Sequence, residues 1–154
     1  MHPCAASRLI ALPDLAATEA LAAALAGLVR RGDAILLEGP LGAGKTAFAR
    51  AFLRAASGDP VLEVPSPTFT LVQEYATRAG RVHHFDLWRV DGPGALAELG
   101  WDDARDGIVL VEWPERLGSL RPSDALTLAL VPGETDGARR ATLTWNDQRL
   151  EALR

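Results

Sequence analysis

At 154 residues the chain has the length of one ordinary domain, and at this size about 68–70% of the unfolded surface can be buried, enough for a self-sufficient core. Hydrophobic residues make up 48% and charged residues 23%, which excludes a disordered or fibrous class. A net charge of −4 and a pI of about 5.3 argue against a direct nucleic-acid binder, whose basic surface would attract the phosphate backbone.

One domain over residues 1–154 is expected, with no repeat or long linker. The longest apolar stretch, Ala20 to Val29, is half a membrane span and runs into Arg30 and Arg31. The N-terminus carries no basic leader before an apolar core, so the expected location is cytoplasmic, with no membrane partner. Cys4 is the sole cysteine, which excludes an intramolecular disulfide or a CxxC zinc site.

In chain order, SRLIAL (7–12) reads as an opening strand. After Pro13 and Asp14, Leu21, Leu25, Leu28 and Val29 repeat at helical spacing, with Gly32 as the expected cap. AILLE (34–38) is a short apolar run suited to a buried strand, and Ala47, Phe48, Ala51, Phe52 and Ala55 then predict a helix ending near Gly58. VLEV (61–64) is a candidate strand, SPTF (66–69) a turn, and TLVQEY (70–75) a strand joined through a turn at RAGR (78–81) to VHHFDLW (82–88). PGALAELG (93–100) has the leading proline and closing glycine of a short helix. IVLVEW (108–113) is a second apolar strand, ALTLAL (125–130) and ATLTW (141–145) form an antiparallel pair, and a short helix ends the chain. The sum is an α/β fold with a partly parallel central sheet and antiparallel edge strands, and a glycine loop of the phosphate-binding kind at GPLGAGKT (39–46) makes it a P-loop NTPase-like three-layer sandwich.

The only lysine, Lys45, lies in GPLGAGKT (39–46), and Gly39, Gly44, Lys45 and Thr46 satisfy GxxxxGK(S/T) between a predicted strand and a predicted helix. Glycines there free backbone N–H groups to wrap α- and β-phosphates at the positive end of a helix, and the ammonium reaches the β- and γ-phosphates. Lysine suits such a tight loop because it is a compact charge on a flexible stem, whereas the guanidinium fork is wide and rigid. The Thr46 hydroxyl is expected on Mg2+, which also wants a carboxylate at the end of a neighbouring apolar strand; Glu112 meets that requirement, unless it merely caps its strand.

Asp86 is a second acidic candidate, to orient or deprotonate a water or to hold the metal through one. Strand alternation puts His84 on its side, where a packing or hydrogen-bonding role is favoured over a general base. Ser66 and Thr68 offer hydroxyls to a γ-phosphate or its magnesium, although a proline-fixed turn accounts for them nearly as well. Trp88 and Trp113 could stack on a base or pack beneath the loop, with core packing favoured for Trp88.

GPLGAGKT, SPTFTLVQEY, HFDLWR, the ELG after PGAL, and LVEWPER, in that order over residues 33 to 116, resemble the bacterial TsaE (YjeE) proteins. The resemblance implies an ATPase of tRNA threonylcarbamoyladenosine biosynthesis, with ATP and Mg2+ as cofactors. Its partners would be a threonylcarbamoyl transferase subunit and a paralogue (TsaD and TsaB type), which modify adenosine 37 of ANN-decoding tRNAs, so that tRNA is met only through them. It implies nucleotide contacts from Leu41, Gly42, Ala43, Gly44, Lys45, Thr46 and Ala47, magnesium ligands in Thr46 and Glu112, and a catalytic group of Lys45, Asp86 and Glu112. Ser66 to Phe69 match a switch-like loop, Arg139 an arginine before the last strand, and Leu15 to Thr18 the segment near the adenine. Three positions depart from the family: Pro40 for aspartate, Trp88 for the tyrosine of DLYR, and Ala51 for the glycine after Arg50.

Two other classes of protein carry such a loop. A GTPase would need an (N/T)KxD motif, which a chain with Lys45 as its only lysine lacks. A small-molecule kinase, of nucleosides or other metabolites, would use the same loop but needs a lid of arginines, and Trp101 to Gly107 offers only Arg105.

Overall fold

The computed structural model describes residues 6–65 and 71–153. A seven-stranded sheet runs through them, built from β1 (Ala6–Leu12), β2 (Ala34–Glu38), β3 (Val72–Thr77), β4 (Gly80–Asp86), β5 (Ile108–Glu112), β6 (Leu126–Pro132) and β7 (Arg139–Trp145), in the order β1-β7-β6-β2-β5-β4-β3. The inner strands β6, β2, β5 and β4 are mutually parallel, and β1, β7 and β3 add antiparallel to the two sides. Both apolar runs, AILLE and IVLVE, therefore occupy the centre, where both faces are covered and alternation is not needed.

Successive side chains of those strands enter two cores. Ile35, Leu37 and Leu110 join Leu21 and Leu25 of α1 (Leu15–Ala26) with Phe48 and Phe52 of α2 (Lys45–Ser57). Leu36, Val109 and Val111 point the other way, against Phe85, Leu96, Leu117 and Trp101 of α3 (Trp101–Ala104). Burying each of the two helix phenylalanines contributes roughly 1.5–3 kcal/mol, so the α2 face is held firmly on the sheet. The expected three layers are present, although the second outer layer is mostly 3-10 turns, at Pro93–Ala95 and Pro114–Leu120, with one turn of α-helix.

Several boundaries differ from expectation. α1 stops at Gly27, whose N–H bonds to the Ala23 carbonyl, while Gly32 turns the chain into β2 by donating to Gly107 at 2.7 Å. VLEV forms no strand: Val64 is buried, but Val61 is 79% exposed and the Leu62 carbonyl accepts from Arg54 Nε rather than from a neighbouring strand. β3 begins at Val72, two residues late, after Leu71 at φ 66°. PGALAELG forms a 3-10 helix over Pro93–Ala95 and continues as turns to Gly100, and the α3 turn and the Pro114–Leu120 segment were not expected. Ser66, Thr68 and the SPTF turn, like Cys4, lie outside the described residues.

Candidate active site

Parallel pairing brings the carboxyl ends of β2, β4 and β5 to one edge of the sheet, the edge at which open α/β sheets take their ligands. The chain leaves β2 through Gly39 at φ 142°, where a Cβ would run into the Leu130 carbonyl oxygen, so only glycine fits. The Pro40 carbonyl accepts the Ala43 N–H at 3.1 Å, and the loop closes without needing a carboxylate or an N–H from residue 40. Gly44, at φ 100°, starts α2 without a side-chain cap, so the first N–H groups of that helix are left for solvent or an anion.

Lys45, the first residue of α2, is 5% exposed. Its ammonium donates to the Gly39 carbonyl at 2.5 Å and sits 3.2 Å from the centroid of the Trp113 ring. Burial pushes its pKa below the ordinary 10.5, and the negative charges of Glu112, Glu115 and Asp86 act in the opposite direction. Trp113 adopts left-handed backbone (φ 61°), a strained conformation for a non-glycine residue at about 1–3 kcal/mol, as the chain turns from Glu112 into the 3-10 segment.

Glu112 is 3% exposed and held at both oxygens: Oε1 accepts from Thr46 Oγ1 at 3.1 Å, and Oε2 accepts from His84 Nε2 at 2.8 Å. Asp86 is Glu112's register partner on the adjacent parallel strand, and its Oδ1 accepts the Trp88 N–H at 3.1 Å. Two strand ends and a helix start therefore bring two carboxylates, a hydroxyl and an ammonium together. A hydroxyl and a monodentate carboxylate are hard oxygen donors, which suits Mg2+ retaining several waters. Among the described residues no cluster of three or more acidic, His or Cys side chains competes as a metal site.

A cleft of about 440 Å³ opens here, lined by Leu41, Gly42, Gly44, Lys45, Thr46, Ala47, Asp86, Trp88, Arg89, Glu112, Trp113 and Arg139. Most of the expected site residues thus converge. Gly39 and Ala43 shape the loop from behind, Ala43 being fully buried. Leu15 and Thr18 do not line the cleft; Leu15 is exposed and Thr18 is buried on α1. Arg139 opens β7 and lies over the loop, its Nε 3.2 Å from where a Cβ on Gly44 would stand.

Trp88 corrects the core-packing expectation. It is 41% exposed and lies against Trp113 at a centroid distance of 4.4 Å, on the cleft wall. Two residues past the end of β4, alternation no longer decides which way a side chain points. Sequence reasoning gave no role to Arg89, although it sits in the quoted HFDLWR run. The hydrogen-bonding reading of His84 holds, but its partner, Glu112 on a different strand, was invisible before pairing was known.

Fold and site together define a P-loop NTPase-like α/β protein. Residues 12–141 match the family model of the threonylcarbamoyl adenosine biosynthesis protein TsaE, and the chain belongs to that family. It is 36% identical over 141 residues to the tRNA threonylcarbamoyladenosine biosynthesis protein TsaE of Nostoc sp., covering 88% of this chain and 84% of that protein. The protein of the same name from Bacillus subtilis is 33% identical over 138 residues, with the same two coverages. A Rickettsia felis relative is 40% identical over 99 residues, 64% of this chain, and the match spans only 57% of that relative's length. The crystal structure of Bacillus subtilis YdiB superposes with a TM-score of 0.75 at 27% identity, covering 97% of this chain and 93% of that one. Among the described residues no helix is long and apolar enough to cross a membrane.

Proposed function

We propose that the cleft binds Mg-ATP and that the chain hydrolyses it in support of the complex that modifies adenosine 37 of ANN-decoding tRNAs. The partners are a threonylcarbamoyl transferase subunit and its paralogue, of TsaD and TsaB type, and tRNA is reached through them. Family membership supports the pathway. The observation that carries the chemistry is the convergence of Lys45, Thr46, Asp86 and Glu112 on one cleft behind a glycine loop.

In this reading the N–H groups of the loop and of the first turn of α2 bind the phosphates, and Lys45 leaves Gly39 and Trp113 to reach them. Thr46 and Glu112 would hold magnesium, which when bound neutralises charge on the phosphates. Asp86 orients a water or accepts its proton. Arg139 pairs in register with Leu12, which links the loop to the start of α1. A base reaching that point would meet the exposed Leu15.

The kinase alternative loses the one arginine that the Trp101–Gly107 segment offered as a lid. Arg105 Nη1 donates to the Gly32 carbonyl, before β2, whereas the cleft lies beyond the other end of that strand. Phosphate release, measured with and without the two partner subunits, tests the proposal: partner-dependent turnover is expected. Turnover indifferent to the partners, together with phosphorylation of a small metabolite, would replace it with the kinase reading.

A further inference from the structure

The least explained group near the cleft is His84. Its side chain is fully buried, Nε2 is bonded to Glu112 Oε2 at 2.8 Å, and Nδ1 has no hydrogen-bond partner among the described residues. A buried polar atom left unsatisfied costs about 1–3 kcal/mol, and what the imidazole supplies against that cost is its bond to the buried Glu112 carboxylate. Its role therefore lies in what it does to Glu112.

We infer that His84 is a positioning residue that fixes how Glu112 presents its carboxylate to a magnesium ion; the inference rests on the Mg-ATP reading above. Parallel pairing sets Asp86 opposite Glu112 and His84 opposite Leu110, so all four share the sheet face from which α2 delivers Thr46. From one step behind, the imidazole reaches across to Glu112. A carboxylate only accepts, so Nε2 carries the hydrogen and occupies Oε2. That leaves Oε1 turned to the Thr46 hydroxyl. Turning both oxygens toward one ion would break the bond between Oε2 and His84, so the carboxylate offers Oε1 beside the Thr46 hydroxyl, as compact octahedral coordination requires. Partners of this kind orient ligands and typically change metal affinity about 10–100-fold when removed.

The test compares His84→Gln, His84→Asn and His84→Leu by calorimetric titration with a non-hydrolysable ATP analogue, in magnesium and in EDTA. Gln places its amide nitrogen near the position of Nε2, whereas Asn is one methylene short. Gln is expected to keep the gain in affinity that magnesium brings, and Asn and Leu to lose about 10–100-fold of it. Metal-free affinity should be nearly unchanged in every variant, since the hydrogen bond of His84 goes to Glu112 and not to the loop or Lys45. An Asn variant with the full magnesium gain, or a Gln variant as impaired as Asn, overturns the inference; should Leu fail to fold, the Gln and Asn pair still decides. A wild-type protein with no magnesium gain sinks the Mg-ATP reading instead. Nitrogen-15 shifts of His84 in the unliganded wild type check the contact separately: a hydrogen on Nε2 is expected, and an Nε2 without one refutes the arrangement.

Discussion

Replacing Lys45 by arginine keeps the charge and changes only its shape, which makes it the sharpest test of the loop. The ammonium fits between the Gly39 carbonyl at 2.5 Å and the Trp113 ring at 3.2 Å, in a side chain only 5% exposed. A guanidinium is a wide planar fork and does not fit that slot or the tight phosphate cradle in front of it. A charge-assisted hydrogen bond is worth about 1.5–3 kcal/mol, so losing one good phosphate contact weakens binding roughly 10- to 100-fold. The readout is thermal unfolding with and without Mg-ATP. Held at about 100 times the wild-type dissociation constant, the ligand adds about 2.7 kcal/mol, which at roughly 2–4 °C per kcal/mol moves Tm by about 5–11 °C. At the same ligand concentration, a variant weakened about 100-fold gains only about 0.4 kcal/mol, a shift of about 1 °C. Equal shifts in the two proteins would refute the assignment of Lys45 to the phosphates.

Three further outcomes follow from other contacts. Glu112→Gln should reduce the magnesium dependence of nucleotide binding while leaving metal-free binding nearly intact, as a titration of magnesium against a fluorescent ATP analogue would register; an unchanged titration would make Glu112 a structural group. Trp88→Ala should lose mainly its pairing with Trp113, about 0.5–1.5 kcal/mol, whereas Trp101→Ala empties a core site packed edge-on against Phe85 and should cost about 3–5 kcal/mol in chemical denaturation. Asp147 is held at a pKa of about 2, chiefly by the side-chain and backbone hydrogen bonds that Arg149 donates. Because the folded pKa lies below the unfolded value of 3.8, that stabilisation is fully present above about pH 4 and disappears as pH falls through about 2. Asp147→Asn should therefore destabilise the protein by at most about 2 kcal/mol near neutrality, and the gap to wild type should close by about pH 2.

Much of this architecture was legible because its signals are local. Strand β2, the glycine loop and α2 occupy consecutive residues, and the two central strands announce themselves as unbroken apolar runs. VLEV misled for the same reason. Its composition suits a strand, but the Leu62 carbonyl is taken by Arg54 of α2, which ties the 61–64 segment to the helix instead of to the sheet. The end of α1 was misplaced because Leu28 and Val29 continue the apolar spacing beyond the last helical turn, Val29 being buried all the same.

The site was legible in its members but not in its wiring. Lys45, Thr46, Asp86 and Glu112 could each be singled out from the ends of predicted strands and the start of a predicted helix. Their contacts depend on register, which no single segment encodes. Once β4 runs parallel to β5 with Asp86 opposite Glu112, strand alternation delivers His84 to the same face, and the start of α2 supplies Thr46 to the other carboxylate oxygen. Glu112 thereby becomes the point at which two strands and a helix meet. A change of register by one residue would turn His84 to the opposite face and leave the carboxylate with Thr46 alone. Strand pairing in the buried centre of the sheet thus sets the geometry of the cleft as directly as the glycine loop does.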